Sequence, residues 1–333
     1  MPTIYEVARL AGVSPKTAAR ILSGDSLRSK KRTEVLACAQ KLGYVRNQQA
    51  ANLRTGRSQL IGVIVPYIDN PFYTKFLQEM HNALHQQGYQ GLIACSFGKS
   101  KTLLEALRLF ETYNIDGVSI DVSEGVLTDE IHSSLQLMKR RGRSVVITGA
   151  QMHDICHDHL YLDNRRAMGK LVRHLKSRNH DMVGFMGGYT ENLNIRNRLD
   201  GLKEALKAHN VTIRQQWIGL GDPSVAAVHQ RACQILSTKD RPSAIVCTSD
   251  MIAISTMKAA FELELQIPRD VAITGFDDID LAALMSPGLT TVRQPMTVMA
   301  RDIVDLLLHQ QERISERPIE KLYDAELIIR DST

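Results

Sequence analysis

The first 45 residues place their apolar positions at the spacing of three short amphipathic helices. Thr3 and Glu6 form a capping-box pattern, which predicts that the first helix begins there. Ser14 followed by Pro15 predicts the start of the second helix, and Gly43 marks the end of a third at about 31–42. The residues expected on the inner faces of these helices are Ile4, Val7, Ala8, Ala11, Ala18, Ile21, Leu22, Val35, Leu36, Ala39 and Leu42. Three helices of this length predict one small folded unit.

Residues 47–58 interrupt this pattern. The segment is polar and contains only three apolar residues, Ala50, Ala51 and Leu53. It predicts a linker with a weak, short helix.

From residue 60 onward, short apolar runs alternate with helical stretches. The apolar runs are 61–65, 92–95, 117–120, 145–148, 182–186, 244–247 and 271–276. The helical candidates lie near 73–87, 102–112, 128–141, 165–177, 197–209, 224–237 and 251–263. This alternation predicts an α/β body with parallel sheets covered by helices. The body is large for a single sheet of this kind, so we expect two lobes with a ligand crevice at the carboxyl ends of their strands.

The composition is that of an ordinary globular protein, with 44% hydrophobic and 23% charged residues among 333. We find no apolar run near the ~18 residues of a membrane span and no signal-peptide pattern, and we expect a cytoplasmic protein. The five cysteines are scattered without a CxxC pair, which indicates reduced thiols.

The charge is distributed unevenly along the chain. Residues 1–58 carry eleven Lys/Arg against three Asp/Glu, a net charge of +8. The remaining 275 residues carry 30 Lys/Arg against 33 Asp/Glu, a net charge of −3. A short segment that holds all of the excess positive charge is suited to a phosphate backbone.

The turn at 11–14 between the first two predicted helices has helix-turn-helix spacing. Gly12 allows the turn, and Val13 can fill the space between the helices. In such a unit the second helix enters the major groove by its N-terminal residues, and Lys16 and Arg20 suit the O6 and N7 acceptors of guanine. The candidate DNA contacts on this helix are Ser14, Pro15, Lys16, Thr17 and Arg20. The alternative is a small helical bundle with surface cations.

Other candidate chemistry is weakly supported. The segment 153–159 contains three histidines and a cysteine, but their crowded spacing matches no standard zinc finger. We interpret it as a polar loop and predict no metal site. The patterns GxGxxG, GxxxxGK[ST], GxSxG and HExxH are absent, so we expect neither an enzyme nor a cofactor.

Residues 3–17, TIYEVARLAGVSPKT, resemble the opening of the lactose/galactose-repressor (LacI/GalR) family. The resemblance continues at 42–44 and 50–57 and resumes at 61–66, 69–72, 163–164, 275–278 and 290–295, so that it covers essentially the whole chain.

The resemblance implies a helix-turn-helix domain at 1–46, a hinge at 47–59 and an effector-binding, dimer-forming body at 60–333. The body would be similar to a periplasmic sugar-binding protein, with lobes at about 60–160 plus 292–323 and 161–291 plus 324–333. The hinge would fold as a helix on DNA, where Leu53, next to Arg54, wedges into the minor groove. The alternative for Leu53 is packing against its own body.

The family's effector contacts carry over to Phe72, Tyr73, Asn194, Arg198, Ser249 and Asp277. A carboxylate and a guanidinium facing one crevice suit a polyol, because each pairs with hydroxyl groups. The alternatives are a turn after a strand for Asp277 and a surface charge for Arg198.

The chain departs from the family at four places. One is Pro15 in the head, which lies at a base-facing position and cannot hydrogen-bond by its side chain. Ser249 stands where asparagine is usual, and Pro223 where an aromatic residue often stacks on the effector. In the head, Ala18-Ala19 replaces the usual Val-Ser and removes a hydroxyl that could contact phosphate.

The sequence therefore predicts a homodimeric transcription repressor that binds double-stranded DNA. Its operator affinity would be set by a small polar effector such as a sugar or sugar derivative. An activator or a corepressor-dependent regulator is the alternative within the same class. A solute-binding or carbohydrate-active α/β protein is the rival from another class.

Overall fold

The computed structural model describes residues 2–22, 30–44, 57–122, 127–150, 156–310 and 317–333. The chain divides into two compact units, Met1–Ser58 and Gln59–Thr333. Among the described residues, no helix has the length and apolar character needed to cross a membrane.

In its described residues, the first unit contains three helices, α1 (Ile4–Leu10), α2 (Pro15–Leu22) and α3 (Lys30–Lys41). The predicted capping box is present, since the backbone N–H of Thr3 donates to the Glu6 carboxylate at 2.7 Å. The buried core residues are Val7, Ala8, Ala18, Ile21, Val35 and Ala39. Leu36, expected inside, is 45% exposed. Cys38 packs on this core instead, because the inner stripe of α3 runs through 35, 38, 39 and 42.

The first lobe of the second unit is built on a six-stranded sheet. Its strands are β1 (Leu60–Val65), β2 (Gln90–Cys95), β3 (Gly117–Asp121), β4 (Ser144–Gly149), β5 (Asp158–Leu162) and β11 (Glu320–Tyr323). They pair in parallel in the order β11-β5-β4-β3-β1-β2. The helices of this lobe are α4 (Pro71–Gln86), α5 (Ser100–Thr112), α6 (Asp129–Arg140) and α12 (Met296–His309).

The second lobe is built on a four-stranded parallel sheet in the order β7-β6-β8-β9. Its strands are β6 (Val183–Met186), β7 (Ile218–Gly219), β8 (Ala244–Cys247) and β9 (Ala272–Thr274). Its helices are α7 (Asn164–Ser177), α8 (Leu193–Ala208), α9 (Val225–Leu236), α10 (Asp250–Glu262) and α11 (Asp280–Leu284). The strand β10 (Thr291–Arg293) pairs antiparallel with β12 (Glu326–Ile328), near the segments where the chain passes between the lobes.

The polar-loop interpretation of 153–159 is wrong at its end. Residues 158–159 begin the buried strand β5, and residues 153–155 lie outside the described residues. Asp158 tolerates burial because its carboxylate accepts hydrogen bonds from the Ile319 backbone N–H and from Gln310 Nε2, each at 2.8 Å.

Asp250, the first residue of α10, joins three segments of the second lobe. Its carboxylate accepts hydrogen bonds from the Ile279 backbone N–H at 2.8 Å and from Thr291 Oγ1 at 2.5 Å, and its own N–H donates to the Phe276 carbonyl. Burial raises the pKa of Asp250 to about 8, and the neighbouring Asp277 carboxylate adds to the increase. The folded state therefore holds a proton that the unfolded chain releases near its ordinary pKa of ~3.9. This contribution to stability is complete below that pKa and is lost as the pH rises through about 8.

We expect Asp250→Asn to flatten the pH dependence of folding stability. The amide can still accept from Ile279 and donate to Thr291, but it does not ionise. The free energy of unfolding of the unsubstituted protein should fall above about pH 5 by up to about 1.4 kcal/mol per pH unit for this proton, and the variant should lose that slope. Urea denaturation at a series of pH values measures both. Asp305→Asn, at a carboxylate that is 75% exposed, is the matched control and should keep the slope. Equal slopes in Asp250→Asn and the unsubstituted protein would contradict the assignment.

Candidate functional site

A cavity of about 640 Å³ lies between the two lobes of the second unit, at the carboxyl ends of strands from both sheets. Asp121, the last residue of β3, and Thr148, the next-to-last residue of β4, line it from the first lobe. Thr248 and Asp277, which follow β8 and β9, line it from the second. All six predicted effector contacts line this cavity: Phe72, Tyr73, Asn194, Arg198, Ser249 and Asp277.

Arg198 lies deeper in its helix than the sequence predicted. Asn192 caps α8 by accepting a hydrogen bond from the Ile195 backbone N–H, so the helix begins at Leu193 and Arg198 lies in its second turn. The sequence pattern predicted a helix start near 197, because the polar residues that follow the capping asparagine interrupt the apolar spacing of a helix. With 7% of its surface exposed, Arg198 is a buried cation and not a surface charge.

Three neutral groups hold the Arg198 guanidinium in place. Its Nε donates to Asn164 Oδ1 at 2.9 Å, and its Nη1 donates to the Thr248 carbonyl at 2.5 Å. The guanidinium carbon lies 3.5 Å from the centre of the Phe276 ring, a cation–π contact. Burial lowers the pKa of Arg198, and the Asp277 carboxylate opposes that shift.

Asp277 lies three residues after the end of β9 and forms an isolated β-bridge with Arg293. Strand β9 ends at Thr274 and thus earlier than the predicted run 271–276. Its φ of 113° lies in a region that side chains rarely adopt, as does the φ of 52° at Asp278. The Asp277 carboxylate accepts a hydrogen bond from Gln294 Nε2 at 2.8 Å. Burial raises the pKa of Asp277 to about 7, against the opposing effects of Arg198 and the Gln294 hydrogen bond. Near neutral pH this carboxyl can therefore accept a hydrogen bond from a ligand hydroxyl or donate one.

The adjacent Asp278 has a structural role. It accepts hydrogen bonds from Arg293 Nε at 2.6 Å and from Arg330 Nη2 at 2.7 Å. Burial alone would raise the pKa of Asp278, but the two guanidinium groups outweigh it and lower the pKa. The two neighbouring acids thus serve different partners, and Asp277 is the one that lines the cavity.

The aromatic wall comes from the first turn of α4, which Asn70 caps by accepting from the Phe72 N–H. Phe72 and Tyr73 meet edge to face with their ring centres 5.0 Å apart. Tyr73 is buried, and its hydroxyl lies 3.5 Å from an Asp121 carboxylate oxygen. This arrangement presents an apolar face next to polar groups.

Asn194 and Ser249 are also fixed by their neighbours. Asn194 Oδ1 accepts from Asn164 Nδ2 at 3.0 Å. Ser249 Oγ caps α10 by accepting from the Ile252 N–H at 3.3 Å, which leaves its hydroxyl proton for a further acceptor. The shorter side chain that departs from the family pattern thus still serves as a helix cap.

Sequence reasoning did not single out several polar cavity residues: Asp69, Asn70, Asp121, Thr148, Asn192, Asp222 and Gln294. A polar residue at the end of a buried apolar run was a usable signal for Asp121 and Thr148. Arg198 is the one cationic side chain among the described residues that line the cavity, whereas four aspartates line it. The electrostatics therefore favour uncharged ligands over anions.

The predicted DNA contacts lie at the N-terminal end and along the outer face of α2. Ser14, Pro15, Lys16 and Arg20 are exposed, and Thr17 is half-buried. Ser14 Oγ accepts from the Thr17 N–H at 3.1 Å and so caps α2. Leu53 and Arg54, predicted to contact the minor groove, lie outside the described residues.

Two family models match the chain. The model for bacterial regulatory proteins of the lacI family matches residues 3–47, and that for a periplasmic binding protein-like domain matches residues 172–333. The HTH-type transcriptional repressor PurR of Vibrio vulnificus is 28% identical over 340 residues, covering 100% of this chain and 98% of that protein. The ribose operon repressor of Escherichia coli K12 is 28% identical over 329 residues, covering 96% and 98%.

The fold comparison agrees with these matches. A crystal structure of the Lac repressor dimer bound to operator and the anti-inducer ONPF superposes with a TM-score of 0.85 at 22% identity, covering 100% of this chain and 99% of that one. With matches at both ends of the chain and relatives aligned along its full length, this protein combines a DNA-binding domain of the lacI family of bacterial regulatory proteins with a periplasmic binding protein-like domain.

Proposed function

We propose that this chain is a transcription repressor that binds a double-stranded DNA operator as a homodimer. A small, uncharged polar effector, bound in the cavity between the lobes, controls its operator affinity. The observation that carries the proposal is the combination of a basic helix-turn-helix unit with a body whose cavity holds a fixed guanidinium and a buried carboxyl. The relatives are repressors and not enzymes, which supports a regulatory role over a catalytic one.

The surface of α2 supports sequence-specific recognition. Lys16 and Arg20 are exposed on it, and its first turn contains no acidic residue that would repel DNA. Ala18 is fully buried in the core of the unit and cannot contact DNA. Ala19 stands where the family usually has serine, so the hydroxyl that could contact phosphate is missing at that position. Pro15, the first residue of α2, has no side-chain group that can hydrogen-bond to a base, so base specificity depends more heavily on Lys16 and Arg20.

We expect Arg20→Ala to weaken operator binding by about 1–3 kcal/mol and to relax discrimination at one symmetric pair of base positions, because arginine pairs with guanine in the major groove. Fluorescence anisotropy with a selected operator and its single-base variants measures both effects. Arg9→Ala, at an exposed cation on α1, is the matched control and should leave base discrimination unchanged. If Arg20→Ala weakened binding equally for every operator variant, Arg20 would contact phosphate instead of a base.

The cavity supports a neutral polyhydroxylated effector. Arg198 can donate to hydroxyl oxygens, and Asp277 can accept from hydroxyl protons, so one ligand satisfies both groups. The ribose operon repressor is among the relatives. Pro223 lines the cavity where an aromatic residue is often found, and Phe72 and Tyr73 supply an apolar wall.

We expect neutral pentoses, hexoses or disaccharides to raise the melting temperature of the full chain and to change its operator affinity. Sugar phosphates and sugar acids should do neither, because three carboxylates besides Asp277 line the cavity. A thermal-shift screen of these classes measures this, since a ligand at 100 times its Kd stabilises the folded state by about 2.7 kcal/mol. Stabilisation by the anionic class alone would contradict the prediction.

We expect Asp277→Asn to reduce effector affinity by at least about tenfold, or about 1.4 kcal/mol, while effector-free operator binding is retained. Arg198→Lys should also lose the response and should melt at a lower temperature, because lysine cannot reproduce the planar fork held by Asn164 and Thr248. A titration of operator binding against the neutral sugar from the screen measures both variants. Asp280→Asn, at a carboxylate that is 90% exposed outside the cavity, is the control. A wild-type midpoint in Asp277→Asn would place the effector elsewhere.

A further inference from the structure

Two neighbouring helices of the second lobe, α9 and α10, bring together three side chains that can bind a metal ion. His229 and Cys233 lie one turn apart on the same face of α9, and Glu262 is the last residue of α10. One potential ligand atom from each lies within 4.8 Å of the other two. None of the three lines the cavity between the lobes.

Small side-chain rotations would bring these atoms to the distances of a tetrahedral metal site. Cys233 Sγ lies 3.9 Å from His229 Nε2, and that nitrogen lies 2.7 Å from Glu262 Oε2. A zinc ion at about 2.3 Å from sulfur and about 2.0 Å from nitrogen separates those two atoms by roughly 3.5 Å at a tetrahedral angle. The glutamate oxygen would need to withdraw to roughly 3.3 Å from the nitrogen. Its side chain is 48% exposed at a helix end, which permits that rotation.

We propose that His229, Cys233 and Glu262 form a zinc site that connects α9 to α10. One thiolate, one imidazole and one carboxylate are the ligand types that zinc takes, and a water molecule would occupy the fourth position. On binding, the Cys233 S–H bond breaks, a sulfur–zinc bond forms and the proton passes to solvent. His229 Nε2, which donates to Glu262 before metal binds, gives up that proton to solvent, and it then coordinates through the freed lone pair while the ring carries its remaining proton on Nδ1.

The neighbouring Lys258 leaves one carboxylate oxygen of Glu262 to bind the metal. Lys258 forms an ion pair with Oε1 of Glu262, so that Oε2 is the oxygen that faces the histidine. This second contact orients the carboxylate in the way that outer partners orient metal ligands. Burial raises the pKa of Cys233, so the thiol stays protonated and unreactive until a metal displaces its proton.

The site joins two helices whose first turns line the cavity. Val225 begins α9 and lines the cavity, as do Met251 and Ile252 in the first turn of α10. Near that end the helices are already tied, because Ser255 Oγ donates to the Val225 carbonyl at 2.9 Å. Zinc would add a second tie farther along both helices.

The test uses the full chain and Co²⁺ as a spectroscopic probe, in a buffer with a phosphine reductant. We expect one equivalent of Co²⁺ to produce a thiolate-to-cobalt charge-transfer band together with the intense visible bands of tetrahedral cobalt, and Zn²⁺ to remove both. Cys233→Ser should abolish the charge-transfer band and weaken Zn²⁺ binding, measured by calorimetry, by at least about tenfold. Glu262→Gln should keep the charge-transfer band but also weaken Zn²⁺ binding, because it retains the thiolate and loses the carboxylate charge.

Cys156→Ser is the matched control, because Cys156 is an exposed cysteine next to a histidine and would be the site of adventitious binding. It should leave the band and the stoichiometry unchanged. Circular dichroism without metal establishes that each variant is folded. The proposal is overturned if the unsubstituted protein binds neither ion saturably, if the band survives Cys233→Ser, or if it disappears in Cys156→Ser.

Discussion

The buried guanidinium of Arg198 is the constraint around which the second lobe is arranged. A cation taken out of water costs several kcal/mol unless the surrounding groups replace its hydration. Its partners come from three separate segments: Asn164 at the start of α7, the Thr248 carbonyl after β8, and the Phe276 ring after β9. Satisfying one charge thus fixes the ends of three elements at the edge of the cavity. The geometry that an effector would meet is therefore set before it binds, which reduces the entropy lost on binding.

Three aspartates of this lobe show how burial assigns different roles to one residue type. Asp250 binds the Ile279 amide and the Thr291 hydroxyl, and Asp278 binds two arginines. Asp277 accepts a hydrogen bond from Gln294 and lines the cavity. The left-handed φ angles at 277 and 278 direct the adjacent carboxylates to these different partners, and such strain persists only where the surrounding contacts enforce it.

The sequence predicted those helices and strands whose formation depends on residues close together in the chain. The capping box at Thr3 and Glu6 and the alternation of apolar runs specified the three-helix head and most of the parallel strands. Strands β5, β7, β10, β11 and β12 escaped prediction. They are short or begin with polar residues, so they show no readable apolar run and depend on pairing between distant segments. The cluster of His229, Cys233 and Glu262 was not predicted either. Glu262 lies 29 positions from Cys233 on another helix, so only the packing of α9 on α10 brings the three side chains together. The six cavity residues were found through family resemblance, whereas Asp121 was missed because polar residues after strands are also ordinary turn residues.

The balance of charge in the cavity limits the class of effector more than any single contact does. An anion would have to approach four aspartates, and the one cation among the described lining residues already donates to two protein acceptors. A hydroxyl group avoids both difficulties, since it accepts from the guanidinium and donates to a carboxylate. The pKa of Asp277, raised to about 7 by burial, makes this carboxyl adaptable, because it can also donate when protonated. An effector without the matching hydroxyls would leave these buried groups unpaired, which costs more than the lost hydrogen bonds contribute and is the physical basis for selectivity at this site.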